Sequence, residues 1–77
     1  GLIGDWYVED EPEFIISFSL EDQQLYLENN VNDYRSEVFY LPRINKILDE
    51  DLQYGTIVRE DGQTVIKYNY YNLRKVR

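Results

Sequence analysis

The 77-residue sequence predicts an all-β domain, in which five or six antiparallel strands form an up-and-down meander that closes, or nearly closes, into a small barrel. Aromatic residues make up 16% of the chain and include eight tyrosines, whereas alanine and methionine, both good helix formers, are absent. Apolar and polar residues alternate with the period of two that is typical of strands. Short polar segments with turn-forming residues separate these runs. Residues 1–77 are therefore expected to form one domain.

The first two strands are predicted at residues 5–9 and 14–20. In the first strand, Trp6 and Val8 lie on one face and Tyr7 lies on the other. Residues 9–13 hold four carboxylates and Pro12, which lacks an amide donor, so they are predicted to form a solvated loop. The second strand places four apolar side chains on one face: Phe14, Ile16, Phe18 and Leu20.

A four-residue turn at residues 21–24 leads into a third strand at residues 25–28. This loop length pairs Leu20 with Leu25 and Phe18 with Leu27, so that the large apolar side chains stay on one side of the sheet. Residues 29–33 form a polar, Asn-rich connection. A fourth strand is predicted over residues 36–48.

Pro42 interrupts this fourth strand, because a proline inside a strand implies an edge, a bend or a bulge that exchanges the two faces. Before it, Val38 and Tyr40 alternate with Phe39 and Leu41. Two interpretations stay open: a bent strand whose inward face is undetermined, or a single helical turn within residues 42–48. The segment 49–51, Asp-Glu-Asp, closes this part of the chain.

The clearest element is a β-hairpin over residues 52–71, with Asp61 and Gly62 as its two-residue turn. Asp-Gly between β-branched runs predicts a type I′ turn, which needs positive φ at both central residues. The resulting register pairs Glu60 with Gln63, Val58 with Val65, Ile57 with Ile66 and Gly55 with Tyr68. One face of the hairpin is expected to form core: Gly55, Ile57, Ile66, Tyr68 and Tyr70.

Closure into a barrel is expected because an open meander would leave two sheet edges exposed, although a two-layer sandwich is an alternative. Trp6 is predicted to plug one end. Since a six-stranded barrel is narrow, its side chains are expected to fill the interior and to leave no ligand-sized cavity. The predicted core consists of Phe14, Ile16, Phe18, Leu20, Leu25, Leu27, Ile57, Ile66 and Tyr68.

Composition and charge exclude several functions. The net charge is −7, and residues 1–34 hold nine acids and no base, so we expect no nucleic-acid partner. No apolar run approaches the length of a membrane helix, so no membrane insertion is expected. The chain has neither His nor Cys, and its three serines have no evident activator. We therefore predict that the protein is not an enzyme and binds no cofactor.

Two acidic clusters, residues 9–11 and 49–51, could in principle chelate calcium. Neither has the alternation or the glycine of an EF-hand loop. We interpret both as solvated loop acids and predict no metal site. Gly55 is interpreted structurally, as a glycine covered by the aromatic ring of Tyr68 on the paired strand.

Near the start of the first strand, Gly4-Asp5-Trp6 resembles the Gly-x-Trp signature of lipocalins and other calycins. A second strand of the Phe-x-Ile-x-Phe type and a Tyr-rich terminal strand with basic residues are similar to short lipocalin-like domains of secreted bacterial proteins. The resemblance implies a barrel in which a base near the end of the last strand stacks on the indole. Arg74 and Arg77 are the candidates for that base. The alternative is an ordinary core tryptophan.

Two functions follow as hypotheses. The resemblance implies a non-enzymatic, secreted or periplasmic barrel that binds a small apolar ligand or serves as an accessory module, although a cytoplasmic location stays open. The alternative is an acidic interaction module, such as an inhibitor or immunity protein, whose Tyr-rich and carboxylate-rich surface blocks a basic protein partner. A monomer is expected in either case.

Overall fold

The computed structural model describes residues 1–76, which form eight antiparallel β-strands and one short 3₁₀ turn, Pro42–Ile44. The strands are β1 (Gly4–Val8), β2 (Glu11–Glu21), β3 (Gln24–Asn29), β4 (Arg35–Leu41), β5 (Lys46–Asp49), β6 (Tyr54–Glu60), β7 (Gln63–Tyr68) and β8 (Tyr71–Lys75). Within residues 1–76, no helix is long and apolar enough to cross a membrane.

Each strand pairs with its neighbours in sequence, and β1 also pairs with β8, which closes the barrel. Trp6 lies opposite Lys75 and Val8 opposite Leu73. Beyond the ladder, the amide of Val76 donates to the carbonyl of Asp5 at 2.9 Å. The predicted all-β meander that closes into a small barrel is confirmed, but it has eight strands rather than five or six.

One additional strand comes from the segment around Pro42. The predicted single strand over residues 36–48 is wrong, because β4 and β5 are two strands that fold back on each other. The 3₁₀ turn begins at Pro42, where the missing amide donor costs nothing, and Asn45 then takes a left-handed conformation with φ of 54°. The alternative of one helical turn describes this connection correctly.

Another additional strand comes from a turn at Asn69 and Tyr70, whose φ angles are 51° and 67°. The predicted strand through residue 71 therefore ends at Tyr68, and Tyr71 begins β8. Tyr70 was predicted to face the core, but it lies in the turn and is fully exposed.

The hairpin at Asp61 and Gly62 is confirmed, with every predicted pair in register. The φ angles are 53° and 77°, as a type I′ turn requires. The β2–β3 hairpin has the predicted register as well, with Leu20 opposite Leu25. Its turn is shorter than expected, however, because only Asp22 and Gln23 lie outside the strands.

The β1–β2 connection is also shorter than predicted. Only residues 9 and 10 form a turn, and β2 begins at Glu11. The register between β1 and β2 shifts here, since Tyr7 lies opposite Ile15 while Val8 lies opposite Glu11. Pro12 lies within this irregularity, where a residue without an amide donor is tolerated in a strand.

The core lies inside the barrel and is formed by side chains that alternate along the strands, such as Ile16 and Phe18 on β2. Ile16, Phe18, Leu27, Ile66 and Tyr68 are buried as predicted, and Phe14, Leu25 and Ile57 pack against them partly buried. Leu20 was predicted in the core but is 62% exposed, because it lies at the very end of the barrel. The buried apolar residues beyond the predicted set are Trp6, Val8, Val38, Ile47, Val65 and Leu73.

The two ends of the barrel differ. We call the end that carries residues 9–10, 30–34, 50–53 and 69–70 the mouth end. The opposite end, which we call the closed end, carries the turns at residues 22–23, 42–45 and 61–62. At the closed end, the buried indole of Trp6 donates from Nε1 to the carbonyl of Leu2 at 2.9 Å, so the N-terminal segment covers the interior.

Candidate functional site

A pocket of about 320 Å³ opens at the mouth end of the barrel. Its floor is formed by interior residues, including Ile16 and Leu27, and its rim by the loops at residues 29–34 and 49–53. Phe14 and Tyr71 form part of its wall, with ring centroids 5.3 Å apart and an angle of 63° between the planes. The pocket therefore joins an apolar floor, aromatic walls and a polar rim.

The expectation of a completely filled interior is wrong in this half of the barrel. Phe18 follows Ile16 by two residues on β2 and lies nearer the closed end. It is 2% exposed and does not line the pocket. The mouth pocket therefore departs from the prediction of a completely filled interior. The physical reason is the strand count, since barrel diameter grows with the number of strands and eight strands enclose more space than six.

Asp49 organises the polar side of the pocket. It is 3% exposed, and its Oδ1 accepts hydrogen bonds from the amides of Asp51 and Gln53 at 2.8 and 2.9 Å. Its Oδ2 accepts a hydrogen bond from the hydroxyl of Tyr68. The interpretation of Asp49 as a solvated loop acid is wrong, because β5 places this position on the inward face, opposite Val38.

The phenols beside this carboxylate are held in their neutral form. Burial, and then the hydrogen bond to Asp49, raise the pKa of Tyr68 well above the ordinary range of a phenol. Burial also raises the pKa of Tyr34, whose hydroxyl donates to Oδ2 of Asp51 at 2.8 Å. Tyr34 and Tyr68 therefore act as hydrogen-bond donors at neutral pH.

The β3–β4 loop is fixed by asparagine side chains. Oδ1 of Asn29 accepts from the amides of Val31 and Asn32, both at 2.9 Å, and Oδ1 of Asn32 accepts from the amide of Tyr34 at 2.8 Å. Asn30 ties the loop to β2, since it accepts from the amide of Ile15 at 2.9 Å. The Asn-rich composition was the available sequence signal, because asparagine bonds its own loop backbone.

The pocket lining is acidic, amide-bearing and phenolic. Its lining contains the carboxylates of Asp49 and Asp51, several amides and three tyrosines, but no lysine or arginine. Within residues 1–76, no group of three or more His, Cys, Asp or Glu side chains is placed to hold a metal ion. What the arrangement offers is a preformed cavity with apolar, aromatic and hydrogen-bonding surfaces.

The residues of the Gly-x-Trp motif lie at the closed end, apart from this pocket. The cation over the Trp6 ring is Lys75, with Nζ 5.0 Å from the centroid, and Nζ also donates to the carbonyl of Ile3. Arg74 was the predicted stacking base, but it faces outward and pairs with Glu9 at 2.7 Å. Gly4 has φ of 126° and lies against Lys75. Arg77, the other candidate, lies outside the described residues.

A larger depression of about 660 Å³ lies at the closed end, between the N-terminal segment and β7 and β8. Its basic lining groups are already engaged, since Arg74 pairs with Glu9 and Lys75 donates to backbone carbonyls. The mouth pocket, by contrast, is framed by paired strands and hydrogen-bonded loops. The mouth pocket is therefore the better candidate site.

Comparison with known proteins gives no relative for this chain: no family model matches it, and neither the curated proteins nor the solved structures contain a significant match.

Proposed function

We propose that the protein is a non-enzymatic, lipocalin-like binding module that takes a small ligand into the mouth pocket. The observation that carries this proposal is the pocket of about 320 Å³ that opens at the mouth end of the barrel. This volume lies at the lower end of the range for ligand pockets. A barrel whose only role was structural would gain stability by filling this space with larger side chains.

The construction of the pocket supports the proposal. Ligand sites are mostly apolar and carry a few polar groups that fix orientation. Here Ile16 and Leu27 supply the apolar floor, and Gln53 and Asn69 supply amide groups at the rim. The asparagine hydrogen bonds of the β3–β4 loop hold the rim in place before a ligand arrives, which reduces the entropy lost on binding.

The lipocalin-like part of the proposal rests on the closed end. Gly4-Asp5-Trp6 places a buried indole there, and Lys75 lies over its ring as a base of the last strand. The mouth pocket opens at the other end of the same barrel. The resemblance also carries the proposal that the barrel is secreted or periplasmic, with the ligand entering at the mouth end.

Titration of the ¹⁵N-labelled protein with a library of small fragments tests the proposal. We expect fragments to shift the amide signals of the mouth loops, such as those of Val31 and Gln53, and to leave the turn at residues 61–62 unchanged. Val31→Trp should weaken this binding, because Val31 is 66% exposed and lines the pocket, so an indole there obstructs the entrance. Leu20→Trp is the matched control, since Leu20 is similarly exposed at the closed end. Fragments that shift no mouth signal, or that bind the Val31→Trp variant equally well, would refute the proposal.

A second candidate is an acidic interaction module that blocks a basic protein. The observation that favours it is the exposed acidic surface at residues 9–13, where Asp10, Glu11 and Glu13 surround the β1–β2 turn. The neighbouring genes separate the two functions: a signal peptide encoded upstream of Gly1 supports the binding barrel, and an adjacent basic toxin or enzyme supports the interaction module. Neutralising Asp10 and Glu13 should abolish binding to such a basic protein and leave fragment binding intact.

A further inference from the structure

We infer that the ligand of the mouth pocket is a small organic cation, in which an ammonium group is attached to an apolar body. This inference rests on the proposed function and specifies its ligand class. Its first basis is the charge of the lining, which contains two carboxylates, Asp49 and Asp51, and no basic side chain. An anionic ligand would find no cation to neutralise it there.

The surroundings of the pocket carry negative charge, as its lining does. The mouth-end segments at residues 9–10, 30–34, 50–53 and 69–70 contain no lysine or arginine and five acids. Glu9 pairs with Arg74 of β8, which leaves four: Asp10, Asp33, Glu50 and Asp51. A cleft surrounded by charges of one sign concentrates the field and raises the local concentration of the oppositely charged ligand. The mouth end should therefore attract cations toward the pocket.

The cations on the strands around the mouth are engaged on the outer wall of the barrel. Arg35 pairs with Glu21 at 2.5 Å and with Glu28 at 3.1 Å. Lys67 pairs with Glu60 at 3.1 Å. Neither Arg35 nor Lys67 lines the pocket, so neither compensates the carboxylates inside it. The negative charge of the mouth is thus left for a ligand to balance.

The aromatic lining gives the second basis for a cation. Phe14, Tyr34, Tyr68 and Tyr71 all line the pocket. The face of an aromatic ring attracts an ammonium group, and this attraction is strongest where water is excluded. The same rings pack against an apolar body, so a ligand that combines both parts uses the whole pocket.

The available acceptor selects an ammonium group over a divalent metal ion. Asp49 already accepts three hydrogen bonds from the protein. Asp51 accepts one, from Tyr34 at Oδ2, which leaves Oδ1 to accept a hydrogen bond from the ligand. Calcium needs six to eight oxygen ligands, whereas one carboxylate oxygen and an aromatic face suffice for an ammonium group.

Three probes of similar size test the inference: 2-phenylethylamine, 2-phenylethanol and phenylacetate, which are respectively cationic, neutral and anionic at neutral pH. We expect the amine to shift the mouth amide signals with an affinity about tenfold higher than that of the alcohol, because one charge-assisted contact contributes roughly that factor. Phenylacetate should not bind. The affinity for the amine should fall as NaCl is raised, since salt screens the acidic mouth.

Asp51→Asn should remove most of the preference for the amine and leave the weak binding of the alcohol unchanged. Asp22→Asn at the closed end is the matched control, because Asp22, like Asp51, is an exposed acid in a turn. This variant should retain the preference for the amine. If the alcohol or phenylacetate shifts the mouth amide signals with the same affinity as the amine, the cation inference is overturned and the proposed function stands. Failure of all three probes would also overturn it, while the fragment library tests the proposed function separately.

Discussion

The hydroxyl of Tyr68 donates a hydrogen bond to the buried carboxylate of Asp49 across the interior of the barrel, from β7 to β5. These strands are not neighbours, because β6 lies between them. Gly55 on β6 lies opposite both Ile47 of β5 and Tyr68 of β7, so no side chain of β6 stands between these two positions. A hydrogen bond between two side chains thus crosses the barrel interior on the mouth side of its apolar core.

Tyr68→Phe should destabilise the protein at neutral pH by roughly 1–3 kcal/mol, because Oδ2 of Asp49 loses its hydrogen-bond donor while it stays buried. Urea denaturation followed by tryptophan fluorescence measures the change. Tyr70→Phe is the matched control, since Tyr70 is fully exposed and its replacement should leave the midpoint unchanged. Equal midpoints for the two variants would show that the bond to Asp49 contributes no stability.

Stability should also fall in alkali. The pKa of Tyr68 is raised in the folded state by burial and by the bond to Asp49, so the unfolded chain loses this proton first. The contribution of Tyr68 is therefore fully present below about pH 10, the ordinary pKa of a phenol, and is lost as the pH rises toward the folded value. Tyr34 acts in the same direction. Denaturation midpoints measured from neutral pH to above pH 10 should decline less steeply for Tyr68→Phe than for the parent protein.

Gly55→Ala should destabilise the barrel by about 1–3 kcal/mol through overpacking. A Cβ at this position would lie 2.6 Å from Cγ1 of Ile47 and 3.3 Å from Cβ of Tyr68. Ile47→Ala removes the closest of these atoms, so the double variant should lose less stability than the sum of the two single variants. A thermal-denaturation cycle of the four proteins measures this coupling, and strict additivity would contradict the clash.

Two tight turns predict opposite changes in stability: a gain where a glycine is introduced and a loss where a glycine is replaced. Tyr70 is fully exposed with φ of 67°, so Tyr70→Gly should stabilise the protein by up to about 1 kcal/mol by relieving a left-handed conformation. Gly62 has φ of 77°, so Gly62→Val should destabilise it by roughly 1–3 kcal/mol. Because a Cβ at Gly62 meets no atom within 4 Å, this loss would come from the backbone alone. Melting temperatures that move together in the two variants would contradict the turn geometry.

Two apolar residues of β2 should respond differently to truncation. Ile16 is 3% exposed, so Ile16→Ala should cost about 2–5 kcal/mol, which is enough to unfold a marginal domain. Leu20→Ala should cost well under 1 kcal/mol, since Leu20 is largely exposed. Chemical denaturation of both variants measures the difference, and a large loss for Leu20→Ala would place its side chain in the core after all.

The sequence predicts the β6–β7 hairpin from its glycine turn and the β2–β3 register from alternation, but it misses the hairpin at Asn69-Tyr70. Asp61-Gly62 fixed the position and the register of its hairpin. Asn69-Tyr70 takes nearly the same backbone conformation, with φ of 51° and 67°, but an aromatic residue occupies the glycine position. The strands on either side of this turn pair with their neighbours, and this pairing compensates for the strain in the turn. A local sequence pattern does not reveal such a contribution from the whole sheet.

The candidate site was harder to predict than the fold, because it depends on which face each residue occupies. The break at Pro42 made β4 and β5 separate strands, and only their pairing places Asp49 inside the barrel. The base over Trp6 shows the same dependence. Adjacent residues of a strand point to opposite faces, so a register change of one position decides between Arg74 and Lys75.

The pairing of β1 with β8 also has a consequence for the folding rate. It joins positions 6 and 75, so the contacts that complete the sheet link almost the most distant parts of the described chain. Such contacts have a high relative contact order, and the entropy of closing so long a loop must be lost before they form. The β6–β7 hairpin, whose two strands are joined by two residues, can form far earlier. The barrel is therefore expected to refold on the slow timescale of all-β proteins, with its last seam closing after the local hairpins are in place.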